Sequence, residues 1–255
     1  MAQYERAVNR SGAYAQQIDA GLRAHMNSIY GLMGVAMIVT GVVAYVFGQD
    51  LLAAYQGRET ALIPPSVLQV LFTSPMVYVI MFSPLAIVFL FGAMVHRMSS
   101  GAAQAVFWVF AALIGLSIST IFVRFTGVSI AQTFFTTAIA FLGLSLYGYT
   151  TKRDLSGMGS FLIMGLIGLI VASVINIFVA SSALQFAISV IGLLIFAGLT
   201  AYDTQRLKSE YVQISQAGGG QQMLNASAIS GALSLYLNFL NMFMFLLQFM
   251  GAARE

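Results

Sequence analysis

The amino-acid sequence predicts an all-α membrane protein built from seven transmembrane helices. Hydrophobic residues make up 59% of the chain and charged residues only 7%, whereas a soluble domain usually has about 25% charged residues. Several apolar runs reach the roughly 20 residues that a helix needs to cross a bilayer. Cysteine is absent, which excludes disulfides, thiolate metal sites and cysteine catalysis.

Hydropathy divides the chain into a polar tail and one transmembrane domain. Residues 1–26 hold three arginines and two acids among small and polar residues, a pattern too long and polar for a signal peptide. We predict a cytosolic tail over 1–26 and a single domain over 27–255. The seven predicted spans are 27–48, 75–96, 102–123, 128–149, 158–180, 183–204 and 226–250.

The basic residues predict the orientation of these spans. Eight of them fall on the side of the N-terminus: Arg6, Arg10, Arg23, Arg97, Lys152, Arg153, Arg206 and Lys208. Three fall on the other side: Arg58, Arg124 and Arg254. Because loops rich in lysine and arginine stay in the cytosol, we predict a cytosolic N-terminus and an external C-terminus.

The seventh predicted span carries a stripe of polar residues. Its members share roughly an 80° arc of the helix; they are Ser227, Ser230, Ser234, Asn238, Asn241 and Gln248. Unpaired amides are costly in hydrocarbon, so we expect this helix to be central, with the other six around it. The stripe either holds the bundle together by interhelical hydrogen bonds or lines a polar path, for which Ser230, Ser234 and Asn241 are the candidates.

Asp203 closes the sixth predicted span and is the main candidate for chemistry. Apart from Asp50, just beyond the first span, it is the only carboxylate inside or at the edge of a span. An ionisable residue near the membrane interior is a functional hypothesis by default. The alternative is an ion pair at the membrane edge with Arg206, three residues on, which would contribute little.

Enzymatic chemistry finds no support in the sequence. Neither His25 nor His96 lies at depth beside a serine, as intramembrane Ser-His catalysis would require. No zinc motif and no phosphate-binding loop is present. We therefore expect no enzyme, no cofactor and no nucleic-acid partner.

Three stretches of the sequence carry a resemblance to a known family: Tyr202-Asp203-Thr204-Gln205, the segment from Leu233 to Phe243 (LSLYLNFLNMF), and Lys152-Arg153-Asp154-Leu155. Together they resemble the Bax inhibitor-1 family, also called transmembrane Bax inhibitor motif proteins. The resemblance covers nearly the whole chain from about residue 27 and suggests a bacterial inner-membrane member. It implies a central seventh helix and a pH-sensitive calcium leak channel, in which two aspartates on the sixth and seventh helices share a proton.

The sequence departs from this family pattern at one position. The first aspartate of the pair corresponds to Asp203, but the second corresponds to Asn238; Arg97 corresponds by position to an arginine of the same network. An Asp–Asn pair carries one charge and cannot titrate as two coupled carboxylates do. Calcium prefers several oxygen ligands with carboxylates among them, so Asp203 would make at most a weak calcium contact. We expect shallower pH gating than an acidic pair would give.

Two classes of function follow. The first is a passive cation pathway, calcium in particular, with Asp203, Asn238 and Arg97 as its gating or ion-sensing residues. The second is a regulatory membrane protein that modulates a membrane protease or a stress response without conducting ions, because some bacterial relatives are associated with such a protease. The tail 1–26 would be its contact surface.

Overall fold

Helices account for almost all of the chain. The computed structural model describes the backbone of residues 2–254 and the side chains of residues 18–254 other than that of His96. Over this range the helices are α1 (Ala2–Tyr55), α2 (Pro65–Thr73), α3 (Met76–Met94), α4 (Ser100–Ile118), α5 (Ile121–Arg124), α6 (Gly127–Thr150), α7 (Ser156–Val179), α8 (Ser182–Gln216) and α9 (Gln221–Met250). A short 3-10 turn, Val95–Arg97, follows α3.

The seven predicted spans are confirmed. Seven helical stretches of the described residues are long and apolar enough to cross a membrane, and they coincide in order with the predicted ones: Ile18–Tyr55, Met76–Met94, Ser100–Arg124, Gly127–Thr150, Ser156–Val179, Ser182–Gln216 and Gln221–Met250. Since successive spans alternate in direction, the ends of α3, α6 and α8 lie at the same end of the bundle as the start of α1. We call it the Asp203 end.

Two helices extend well beyond the predicted spans at the Asp203 end. Helix α1 is continuous through the boundary predicted at residue 26, and Leu22 and Met26 are already buried. Helix α8 continues to Gln216. In this extension the ring of Tyr211 lies 5.1 Å from the imidazole of His25, measured between the ring centroids. Hydropathy marks where the hydrocarbon ends, which is not where a helix must end. Residues 18–26 therefore pack with the bundle and are not a separate tail.

The last helix, α9, is the most buried of the seven spans. Its most apolar window is 67% buried, against 11% for α7. Its main contacts are with α1, α4, α6 and α8. Burial on this scale fits a helix whose polar side chains need protein partners. That all six other spans surround it stays a prediction.

Glycines allow α6 and α7 to approach α8 closely near Asp203. A Cβ atom on Gly148 of α6 would lie 2.2 Å from the carbonyl oxygen of Ala201 in α8. A Cβ atom on Gly159 of α7 would lie 2.4 Å from the ring of Tyr202. Small residues of this kind bring helix backbones together in membranes, and here they fix α8 between α6 and α7 at the position of Asp203.

Asp50 fixes the loop between α1 and α2. The helix continues to Tyr55, so Asp50 lies within α1 and not in the loop predicted to begin at residue 49. Its buried carboxylate accepts backbone N–H groups from Ala61 at 2.7 Å, Leu62 at 2.9 Å and Ile63 at 2.6 Å. Three hydrogen bonds to one charged acceptor make this an anchoring contact for the loop.

Asp50→Ala is expected to free this loop without unfolding the bundle. Three N–H groups lose their acceptor, which costs about 2 kcal/mol of loop stability where they are partly shielded from water. Trypsin should then cut after Arg58 faster in Asp50→Ala than in the unmodified protein, as measured by limited proteolysis in detergent. Glu59→Ala, which removes an exposed acid of the same loop, is the control, and equal cleavage of both variants would contradict the anchoring role.

Candidate functional site

Asp203 lies buried between α8 and α9, where it accepts hydrogen bonds from two side chains and forms an ion pair with a third. Its Oδ2 atom accepts from Ser234 Oγ at 2.8 Å and from Asn238 Nδ2 at 2.8 Å. Its Oδ1 atom is 2.9 Å from Nη2 of Arg206. Only 6% of Asp203 is exposed. We call these four residues the Asp203 cluster; it joins α8, at the end of the predicted sixth span, to the middle of α9.

Arg206 supplies the positive charge of the cluster. It follows Asp203 by three residues, so both side chains lie on one face of α8. The arginine side chain is 46% exposed, whereas that of Asp203 is 8% exposed, so one partner of the pair is hydrated and the other is not. Arg206 also lies 3.4 Å from Ser234 Oγ. A buried carboxylate needs such a partner, because an unpaired charge there is very costly.

Arg97 does not join the cluster. It is exposed at the end of the turn Val95–Arg97, and within the described residues it forms no ion pair with Asp203. The expectation that Arg97 is the basic partner is corrected: Arg206 holds that place, because a residue one turn along the same helix reaches the carboxylate directly. The sequence suggested the pair of Asp203 and Arg206 as a contact at the membrane edge. In the structure this pair is part of the Asp203 cluster, together with Ser234 and Asn238.

The four residues that close the sixth span contact four different neighbours. Tyr202 packs on Gly159 of α7, and Asp203 binds α9. Thr204 Oγ1 lies 3.0 Å from Ser145 Oγ of α6. Gln205 accepts from the N–H of Leu155 at 2.8 Å and donates to the carbonyl of Arg153 at 2.8 Å. The sequence Tyr-Asp-Thr-Gln thus connects this part of α8 to α6, α7, α9 and the loop between α6 and α7.

The polar stripe of α9 contacts α8 at two levels, one in the middle of α9 and one near its end. Ser234 and Asn238 bind Asp203, and near the opposite end Gln248 Oε1 accepts from Gln185 and from Ser189, each at 3.1 Å. Asn241 donates instead to the carbonyl of Leu237 in its own helix at 2.8 Å. Ser230 is half-buried, and in the described part of the chain no hydrogen bond joins it to Asp203. Three of the six stripe residues, Ser234, Asn238 and Gln248, therefore make interhelical hydrogen bonds.

A polar cleft opens beside the cluster. It has a volume of about 330 Å³ and is lined by Arg206, Asp154, Ser156, Glu210 and neighbouring side chains of α8. The hydroxyl and the backbone N–H of Ser156 donate to Asp154 and hold the pKa of that carboxyl below its usual range. The cleft therefore keeps a negative charge at neutral and mildly acidic pH and is separated from Asp203 by Arg206.

As an ion site the cluster offers few free ligands. Both oxygens of Asp203 already accept from protein donors, and among the described residues no group of three or more histidines or acids could hold a metal ion. Asp203, the Ser234 hydroxyl and the Asn238 carbonyl would provide one charged and two neutral oxygens, a weak set for calcium. Any cation would have to displace Arg206 and the two neutral donors first.

Comparison with known proteins matches nearly the whole chain. The family model described as "Inhibitor of apoptosis-promoting Bax1" matches residues 22–255. An uncharacterized protein of Caulobacter vibrioides is 45% identical over 243 residues, which cover 93% of this chain and 92% of the relative. The match to the family model begins at residue 22, within the part of α1 that packs against α8.

Two further relatives are described as membrane proteins. The inner membrane protein YbhL of Escherichia coli K12 is 41% identical over 239 residues, which cover 93% of this chain and 95% of the relative. An uncharacterized membrane protein of Streptococcus pyogenes is 36% identical over 236 residues, covering 92% of this chain and 95% of the relative. These similarities extend over every span described above.

Proposed function

Because the chain belongs to the Bax inhibitor-1 family, we propose that it provides a passive, calcium-permeable cation pathway controlled by the Asp203 cluster. The similarity to an inner membrane protein of Escherichia coli supports a location in the bacterial inner membrane. The excess of basic residues on the side of the N-terminus supports a cytosolic N-terminus. In this proposal Asp203 acts as a latch between α8 and α9. Asn238 takes the place of a second acid, and calcium is a transported ion.

The observation that carries this proposal is the hydrogen bonding of Asp203 across α8 and α9. Its carboxylate binds Ser234 and Asn238 of one helix while it is paired with Arg206 of the other. A single group with this many bonds across one interface holds two helices in one relative position. When those bonds are released, the polar side of α9 can take up water, since hydrated polar groups no longer need α8 as a partner.

Access to the latch supports the same proposal. Arg206 is half-exposed and borders the negatively charged cleft near Asp154. A cation concentrated in that cleft competes with the guanidinium for Asp203, because both are attracted to the same carboxylate. Arg206 lies where an ion would approach the interface between α8 and α9. The displacement of Arg206 and the opening of the latch would therefore be one event.

Arg206→Gln is expected to raise calcium flux about fivefold in proteoliposomes. The substitution leaves a buried carboxylate without its cation, and since Arg206 is half-exposed we discount the loss to about 1 kcal/mol. Flux is measured with the purified protein and an entrapped calcium dye. Lys152→Gln, an exposed cation at the same end, is the control. No flux from the unmodified protein above empty liposomes would reject the channel.

The second candidate is a regulator that binds a membrane protease. It is favoured by the continuation of α1 as a helix from Ala2 to the first span, which gives a partner a helical segment beyond the membrane. Binding that depends on residues 2–17, together with absent flux, would support the regulator over the channel.

A further inference from the structure

An apolar groove runs along the side of the bundle between α1 and α6. It has a volume of about 610 Å³, and its walls include Met33, Gly34 and Gly41 of α1 and Phe134 of α6. Phe239 of α9 forms part of its floor. Its size falls in the range of about 300 to 1,000 Å³ that is usual for ligand sites. The groove lies within the spans, so it opens toward lipid.

Water cannot be the occupant of this groove. A water molecule needs two or more polar partners, and the walls are apolar over the stretch from Met33 to Val42. An empty groove would forfeit the dispersion contacts of every side chain that lines it. Hydrocarbon is the one filling that a bilayer supplies at this depth.

The groove has the length of one lipid chain. Its α1 wall extends from Tyr30 to Val42, which is about 18 Å at 1.5 Å per residue. One leaflet contributes roughly half of a hydrocarbon core about 30 Å thick. A single acyl chain lying along α1 would therefore follow the groove from the headgroup region to about the middle of the membrane.

A second pocket, which contains one basic side chain, adjoins the groove at the Asp203 end. The pocket shares Tyr30 and Leu142 with the groove and is also lined by Arg23, Asn27 and Tyr149. Arg23 is exposed, and in the described part of the chain it forms no ion pair with Asp19 one turn earlier.

A second cation contacts one wall residue of this pocket. Lys208 donates to the carbonyl of Tyr149 at 3.1 Å, with Nζ 5.4 Å from the centre of that ring. The exposed Arg23 and the amide of Asn27, which line this pocket at the mouth of the apolar groove, match a phosphate linked to an acyl chain.

We infer that this groove binds one anionic phospholipid, with an acyl chain between α1 and α6 and the headgroup phosphate at Arg23. A partner helix would also fill an apolar groove, but it would leave the basic pocket without a counter-charge. An anionic phospholipid fills the apolar groove with its acyl chain and gives Arg23 a counter-charge with its phosphate. This inference does not depend on ion conduction, because it rests on the outer side of the bundle and not on the Asp203 cluster.

The test uses spin-labelled lipids with the purified full chain in phosphatidylcholine vesicles. Chain-labelled phosphatidylglycerol should give a larger motionally restricted component than chain-labelled phosphatidylcholine. Arg23→Gln should reduce this preference about fivefold, and Arg23→Lys should retain most of it. Lys152→Gln, which removes an exposed cation outside the pocket, should leave the preference unchanged.

A second pair of variants tests the groove itself. Leucine at both Gly34 and Gly41 fills part of the groove, and a Cβ atom at either position meets no atom within 4 Å. Gly34→Leu/Gly41→Leu should lower the restricted component of both labels, whereas Gly168→Leu on the lipid-facing side of α7 should not. The inference is overturned if the groove-filling variant and Gly168→Leu behave alike, if Arg23→Gln keeps the preference, or if cross-linking places a second copy of the chain in the groove.

Discussion

Asp203→Ala is expected to loosen α8 from α9 and to raise calcium flux about tenfold. The substitution removes the acceptor for Ser234 and Asn238 and the partner of Arg206. Interhelical hydrogen bonds in membranes are each worth about 0.6 kcal/mol, and an amide left unpaired adds to the loss. We expect a total of about 2 kcal/mol. A tenfold shift between latched and unlatched arrangements needs about 1.4 kcal/mol of it.

Two measurements separate a latch from an ion ligand at this position. Flux in proteoliposomes should increase in Asp203→Ala, and the unfolding temperature in detergent should fall by roughly 5 °C. If Asp203 were a ligand that ions must bind in passing, flux would decrease instead. Asp19→Asn, which neutralises an exposed acid at the same end and outside the cleft, should change neither the flux nor the stability by a comparable amount.

Asp203→Asn distinguishes the charge from the shape of the side chain. The amide oxygen can still accept from Ser234 and Asn238, but its NH₂ group would point at the guanidinium of Arg206, and two donors cannot bond each other. We therefore expect a smaller loss of stability than in Asp203→Ala and an intermediate flux. Flux equal to that of the unmodified protein would show that the charge of Asp203 has no part in closure.

The sequence predicts the spans well because bilayer thickness sets them. Each of the seven apolar runs contains the roughly 20 residues that a membrane demands, and each becomes a helix near the predicted residues. Hydropathy does not predict the parts of a helix that lie beyond the hydrocarbon. The extensions of α1 and α8 pack through Leu22, His25 and Tyr211, and such contacts depend on which helices are neighbours.

The candidate site was predictable in part. Position on a helix is enough to pair Asp203 with Arg206, since residues three apart share a face. That Asn238 would meet Asp203 came from the resemblance, because helix periodicity cannot say which face of α9 meets α8. The error at Arg97 has a related cause: an arginine at the end of a helix can point to solvent or to protein, and only the packing of α3 decides which.

Asn238→Asp is expected to make the calcium flux depend more steeply on pH than in the unmodified protein. The present amide donates to Asp203 Oδ2 at 2.8 Å. A second carboxylate at that distance can bond the first only by sharing a proton, so the two acids titrate as a coupled pair. Arg206 can compensate one of the two negative charges but not both. At low pH the shared proton restores the bond, and at high pH two charged groups repel across the interface.

The sign of the effect follows from this repulsion. Protonation favours the joined helices in Asn238→Asp, so calcium flux should be low in acid and should rise with pH as the shared proton is lost. The unmodified protein should change little over the same range, because Asp203 alone has no acid with which to share a proton. Flux is compared across the acidic and neutral range in matched proteoliposomes, with Asn225→Asp, which adds a carboxylate nearer the start of α9, as the control. A flux that falls with rising pH, or a pH response as steep in the unmodified protein, would mean that the cluster does not close the interface through the charge of Asp203.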